Sequence, residues 1–198
     1  MRQDVLYALI LFCFVSGVTP GPNNLMLMNS GVNFGFRRTL PHLLGVVFGF
    51  ALMVALIGLG LDAAFSRFPR LLPIMRWAGA AYMLWLAWRI ANSGPVREGD
   101  GGRRPLGFFG AAAFQWINPK AWSIAIGALT AYSVSEDYAI SVVVVAASYL
   151  LIGLPGSGAW VVFGVAMRKA LADPRRARPF NLSMAALLVA SIALVFWD

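Results

Sequence analysis

The chain has 198 residues, 60% of them hydrophobic and only 12% charged, with a mean hydropathy of +0.73 and a formal net charge of +8. A water-soluble domain carries about a quarter charged residues, so the composition excludes an ordinary soluble enzyme and points to one domain that lives in lipid. The positive charge does not signal nucleic acid, because the arginines fall in the gaps between apolar blocks.

Six apolar blocks follow one another, at about 5–28, 41–61, 71–92, 106–132, 138–166 and 180–197. Each approaches or exceeds the roughly 20 residues that cross about 30 Å of hydrocarbon as a helix. Runs such as VVVVAASYLLIGL lack the polar alternation of a membrane strand. The expectation is an all-α integral membrane protein with six transmembrane helices. Sorted by gap, Arg37, Arg38, Arg89, Arg97, Arg103, Arg104, Arg168, Lys169, Arg175, Arg176 and Arg178 share one side, and Arg2, Arg67, Arg70 and Arg76 the other. Lys and Arg accumulate on the cytoplasmic side. Both termini are therefore expected on the periplasmic side, with the first, third and fifth loops inside.

In the first block, MRQD carries little positive charge and VSGVTPGP offers no small-x-small cleavage pattern, so the block reads as a helix rather than a cleaved signal. Cys13 is the single cysteine, and it can form neither a disulfide within the chain nor a multi-cysteine zinc site. Near the inner end of this block stands Thr19-Pro20-Gly21-Pro22-Asn23-Asn24. Proline has no amide hydrogen, so Pro20 frees the carbonyl of Ser16 and Pro22 that of Val18. Gly21 lets the chain turn sharply. Pro22 suits the first position of a new helical segment, with Asn23 and Asn24 in its opening turn. A broken helix results, presenting carbonyls to a cation and N–H groups to an anion. Within hydrocarbon such backbone is tolerated only against protein or a water-filled cavity. An α-amino acid, with its ammonium and carboxylate a few ångströms apart, suits such a break.

The second block opens with His42, read as a surface histidine, and carries Gly45 and Gly49 at the four-residue spacing of helix packing. In the third block, GAAYMLWLAW places Tyr82 and Trp85 one helical turn apart, as candidate cavity liners. SGPVREGDGGRRP, residues 93–105, is rich in Gly, Pro and charge and reads as a linker. It divides the chain into 1–92 and 106–198, three apolar blocks on each side.

The fourth block carries Gln115-Trp116-Ile117-Asn118-Pro119-Lys120 near its middle. Pro119 frees the carbonyl of Gln115 and pushes Asn118 out of α geometry. Lys120 then stands near the centre of a span, where an unpaired cation is costly. The acidic residues Asp4, Asp62, Glu98, Asp100, Glu136, Asp137, Asp173 and Asp198 all fall at expected helix ends or in loops. The chain thus offers Lys120 no obvious buried partner, and a substrate carboxylate would be one. The alternative is a lysine that snorkels to the interface.

Two three-helix units joined in series must enter the membrane from opposite faces, the arithmetic of an inverted repeat. The two polar, proline-containing interruptions occupy the first helix of each unit, and the second helices both carry closely spaced glycines, Gly45 and Gly49 against Gly153, Gly156 and Gly158. No Asp/His/Cys cluster lies within a span, disfavouring heavy-metal export. No Ser/His/Asp or paired-carboxylate arrangement supports a membrane hydrolase, no P-loop supports ATP hydrolysis, and no cofactor is expected.

TPGPNNLMLMNSGVNFGFRRTLPHLLGVVFGF resembles the N-terminal signature of the LysE/RhtB family of bacterial amino-acid exporters: Pro-Gly-Pro, a "GFR" loop and a Gly-x-x-x-Gly second helix. GAAYMLWLAWRIA is similar to that family's third helix, and FQWINPKAW to its Asn-Pro-Lys fourth helix. TPGPNN and GAAYMLWLAW look most like the branch that exports cysteine and O-acetylserine. The resemblance covers most of the chain, though the stretch after residue 138 adds little. It implies a six-helix exporter of neutral amino acids in the bacterial inner membrane, exchanging them for protons. Carried over, Pro20, Gly21, Pro22, Asn23 and Asn24 line the site from one repeat, and Asn118, Pro119 and Lys120 from the other, beside Gln115. With no mid-membrane carboxylate, the proton carrier is not identifiable; Asp62 and Lys120 are the candidates.

The leading expectation is therefore export of small zwitterions such as cysteine, O-acetylserine, threonine, homoserine or leucine-like amino acids by alternating access. The substrate carboxylate meets Lys120 and the amides near Asn23 and Asn24; its ammonium meets the carbonyls freed at Ser16, Val18 and Gln115. The expected partners are that substrate and membrane lipid, with a homodimer left open. The rival expectation is a non-transporting assembly partner or intramembrane enzyme whose helix breaks are packing kinks.

Overall fold

The computed structural model describes residues 3–61, 70–94, 104–133 and 137–196. Seven α-helices and no strand are found among them: α1 (Gln3–Val18), α2 (Pro22–Leu56), α3 (Leu71–Ala91), α4 (Phe108–Phe114), α5 (Pro119–Tyr132), α6 (Tyr138–Met167) and α7 (Pro174–Phe196). A π-helical turn, Ile57–Leu61, extends α2, and 3-10 turns at Gln115–Ile117 and Ala170–Ala172 precede α5 and α7. Pro22–Gly60 and Tyr138–Met167 are each long and apolar enough to cross a membrane, with mean hydropathies of 2.5 and 2.1.

The boundary between the first two blocks needs correction. The sequence put a loop after residue 28 and a new helix at 41, but helix continues on both sides of a single residue, Gly35, at φ 78° and ψ 173°. A positive φ is open to glycine at little cost, and here it reverses the chain. Ser30 Oγ lies 3.1 Å from His42 Nδ1, whereas residues twelve apart in a straight helix stand about 18 Å apart. The two arms of α2 are therefore packed side by side, and Leu27 meets Leu43 in one buried cluster. Two consequences follow. TPGPNN lies at the middle of the first hydrophobic passage rather than at its inner end, because helix runs on from Pro22 to the Gly35 turn. His42, read as a surface residue, is only 2% exposed; the fold-back buries it.

Helix α6 lies along both arms of α2. The backbones nearly touch: a Cβ at Gly31 would stand 2.4 Å from the Val161 carbonyl oxygen, and one at Gly164 would stand 2.1 Å from that of Met28. Around this pair the short segments are exchanged. Helix α1, from the first half of the chain, packs on α6; α4, from the second half, packs on α2; and α3 pairs with α7. Glycines permit both exchanges. Gly17 of α1 approaches Gly156 of α6, and Gly45 and Gly49 of α2 meet Phe108 and the Ala111–Ala112 edge of α4. One buried cluster joins Leu9, Cys13, Val54, Ala125 and Tyr149 below the breaks; another joins Leu25, Met28, Met83 and Leu188 on the opposite side.

Candidate functional site

Both breaks form at the residue before a proline. Gly21, ahead of Pro22, is extended at φ 179° and ψ 177°. Asn118, ahead of Pro119, sits at φ −87° and ψ 104°. A proline ring clashes with α geometry at the preceding residue, while its own fixed φ starts the next helix. The interruptions are thus dictated locally. What they face is a tertiary matter.

At the first break, the amide and hydroxyl of Thr19 both donate to the Val15 carbonyl, at 2.9 and 2.5 Å, and close the last turn of α1. Three carbonyls beyond, those of Gly17, Thr19 and Pro20, are met by side chains. Asn24, buried in the first turn of α2, donates from Nδ2 to Gly17 O at 2.7 Å and Thr19 O at 2.9 Å. Lys120 reaches across from the second break and donates from Nζ to Thr19 O at 2.9 Å and Pro20 O at 3.0 Å. Its direction is fixed at both ends. Asn118 Oδ1 accepts the Lys120 backbone N–H at 3.2 Å as an N-cap of α5, and the stem lies on Gly21, where a Cβ would stand 2.7 Å from Lys120 Cδ. A second link joins the breaks. Asn23 Nδ2 donates to Gln115 Oε1 at 2.8 Å, and Gln115 Nε2 donates to Asn23 Oδ1 at 3.2 Å and to Ala111 O at 2.8 Å.

Lys120 therefore has partners, though the acidic residues offered it none: they are main-chain carbonyls of the opposite break. An ammonium has three N–H donors. Two are engaged here, and the third has no partner recorded among the described residues. Two other expectations change. The Gln115 carbonyl accepts from Asn118 N at 3.3 Å, and Gln115 is not among the residues that line the cavity described below. The wholly buried Gln115 side chain supports Asn23 from behind instead. Because the two amides bond reciprocally, Asn23→Leu and Gln115→Leu are expected to be non-additive. A double-mutant cycle of unfolding free energies in detergent should return a coupling on the order of 1 kcal/mol.

Between the breaks lies a cavity of about 70 Å³. A water fills about 10–15 Å³ on this measure, so there is room for on the order of five water-sized groups, a small amino acid rather than an oligomer. Ser16, Gly17, Gly21, Pro22, Asn23 and Asn24 line it from the first break, and Asn118, Lys120, Ala121 and Ile124 from the second. Val46, Val47 and Phe50 of α2 and Tyr149, Gly153 and Ser157 of α6 complete the wall. No carboxylate is among the described residues that line it.

Several residues named from sequence stand elsewhere. Pro20 and Pro119 set the backbone but do not line the cavity. Tyr82 and Trp85 stay together, ring centres 5.3 Å apart, with Tyr82 also against Phe114 at 5.3 Å; neither lines the cavity, and Trp85 is 45% exposed on the outer face. Gly45 and Gly49 make a helix contact. Asp62 lies outside the described residues. Conversely, the sequence reading missed the α6 wall. Tyr149, Gly153 and Ser157 recur at four-residue spacing, one face of a helix, and this small or polar stripe in a valine-rich span was the signal available.

Compared with known proteins, residues 14–197 match the family described as LysE type translocator. Cysteine/O-acetylserine efflux proteins of Escherichia coli (strain K12), Escherichia coli O9:H4 (strain HS) and Shigella sonnei (strain Ss046) are each 31% identical over 199 aligned residues, covering 100% of both chains. No solved structure matches significantly.

Proposed function

This chain belongs to the LysE type translocator family, and on that premise we propose that it exports small neutral amino acids or their derivatives, of the cysteine and O-acetylserine kind, across the bacterial inner membrane. The observation that carries the reading is the cavity closed by two facing helix breaks, with Lys120 of one seated on the carbonyls of the other. A substrate carboxylate takes the third Lys120 donor and the unpaired N–H groups of the first turn of α2. The substrate ammonium takes the Ser16 carbonyl that Pro20 leaves without a helical donor.

In this reading the chain crosses the membrane six times with both termini periplasmic. Residues 1–92 and 106–198 are inverted three-helix repeats joined by the linker 93–105. The exchange of α1 onto α6 and of α4 onto α2 supports that symmetry. The repeats rock about the midplane site so that it opens to one side at a time. A proton gradient drives the cycle, with Asp62 or Lys120 as carrier.

The test is efflux from vesicles. Purified protein in liposomes loaded with labelled cysteine, O-acetylserine or serine should release label faster than protein-free vesicles, and an opposing proton gradient should accelerate release. No release of any amino acid above the protein-free rate would favour the rival, a membrane assembly partner or enzyme with packing kinks. Release that ignores the gradient would remove only the coupling.

A further inference from the structure

In the export reading the two breaks hold the charges that every α-amino acid shares. The part that differs between amino acids must then face the remaining walls, Val46, Val47 and Phe50 of α2 and Tyr149, Gly153 and Ser157 of α6. The α2 wall is apolar, and the Tyr149 ring is engaged edge-on with Phe50, 4.8 Å between centres. Gly153 and Ser157 are different. They stand four residues apart on one helix face, about 6 Å along the axis, and nothing in the export mechanism above uses them.

Gly153 leaves space. A Cβ there would meet no atom within 4 Å, although the residue lines the cavity, whereas a Cβ at Gly156 would stand 3.4 Å from the Gly17 backbone. Gly156 thus serves the packing of α1 on α6, and Gly153 does not. Ser157 leaves a polar group. Serines inside helices often return the hydroxyl to the carbonyl four residues back. Ser141 and Ser148 of α6 do so, to Asp137 O at 3.0 Å and Val144 O at 2.8 Å. Ser157 is only 7% exposed, yet no hydrogen bond of its hydroxyl is found among the described residues, and the hydroxyl is not sealed from solvent. The cavity it lines accounts for that access.

We infer that Gly153 and Ser157 are specificity-determining residues that form the subsite for the substrate side chain. The missing Cβ of Gly153 gives room for a side chain longer than a methyl group, and the Ser157 hydroxyl bonds an oxygen or sulfur carried on it. The inference rests on the export reading. One methylene more or less in a fitted pocket changes discrimination about 10- to 200-fold, and a polar group of the site left unpaired by the wrong substrate adds to it.

The experiment compares O-acetylserine with alanine, which share the amino-acid charges and differ in side-chain length and polarity. In liposome efflux the wild-type protein is expected to move both. Gly153→Ala is expected to lower the O-acetylserine-to-alanine rate ratio about tenfold, because its methyl takes the room, and Ser157→Ala to lower it about tenfold through the lost bond. Gly127→Ala, on α5, fills equally open space away from the cavity and should leave the ratio unchanged. The melting temperatures of Gly153→Ala and Ser157→Ala should not fall, since one fills open space and the other deletes an unengaged hydroxyl. As a measure independent of turnover, O-acetylserine should stabilise the solubilised wild type, and both cavity variants should lose most of that stabilisation while keeping any given by alanine. Four results overturn the inference: wild-type export of alanine without O-acetylserine, an equal loss for both substrates, a shift as large in Gly127→Ala, or a lowered melting temperature in either cavity variant (a structural role). If wild-type vesicles move no amino acid at all, it is the export reading that fails. If they move both and either cavity variant leaves the ratio unchanged, only this inference fails.

Discussion

Lys120→Met abolishes export, a fall of at least about a hundredfold in efflux rate from loaded vesicles, while the protein keeps a melting temperature near that of the wild type. The expectation follows from what the ammonium touches. Two of its donors hold Thr19 O and Pro20 O, at 2.9 and 3.0 Å, so it joins the two breaks from the wall of the cavity. A charge-assisted hydrogen bond to a carboxylate contributes about 1.5–3 kcal/mol, and a hundredfold in rate is about 2.7 kcal/mol. Losing the substrate contact together with the link between breaks reaches that size. Stability behaves differently. Removing a cation that is largely enclosed by protein relieves a desolvation cost, and water in the adjoining cavity can take the ammonium's place on the two carbonyls. A Lys120→Met protein that exports at the wild-type rate would falsify the assigned role. One that no longer folds would make the lysine a structural clamp instead.

Gly21→Ala should lower export about tenfold or more without unfolding the protein. Alanine adopts the extended backbone of Gly21 without strain, so the chain is not the obstacle. The obstacle is space: the new methyl would stand 2.7 Å from Lys120 Cδ and 2.9 Å from Nζ. A flexible lysine stem yields to such an intrusion, and in yielding it leaves Thr19 and Pro20. The fold tolerates the change while the ammonium is misplaced, a distinction that efflux and melting temperature measured together make visible. Because both variants act through one atom, Gly21→Ala combined with Lys120→Met should lose no more than Lys120→Met alone. Additive losses would show that Gly21 serves some other purpose, such as direct approach of the substrate to the backbone.

Much of this was legible in the order of residues. A proline without an N–H and with a ring that excludes α geometry behind it acts on its immediate neighbours, so the breaks at Gly21 and Asn118 were readable from TPGPNN and QWINPK. Apolar length was similarly local, and α3 and α6 fall close to their expected blocks at 71–92 and 138–166. A reversal between residues 28 and 41 was expected, but not that Gly35 alone would make it. NSGVNFGFRRTL has the polarity of a loop, yet all but one of its residues stay helical, because packing of Leu27 on Leu43 and of both arms on α6 overrides that local signal. Tyr82 and Trp85 failed for a related reason: one turn apart, they were bound to share a face, but nothing in their spacing said whether it looked inward.

By itself, then, the sequence determined a lipid-dwelling all-α chain, the two proline interruptions, and the cation placed beside one of them. These rest on composition and on sterics between adjacent residues. Tertiary structure alone decided that the interruptions face each other, that Lys120 is held by main-chain oxygens a hundred positions away, that Gln115 backs Asn23, and that Tyr149 joins the cavity wall. Those are contacts between residues far apart in the chain, fixed by how α2 and α6 pack and by which glycines let backbones approach; no local pattern encodes them.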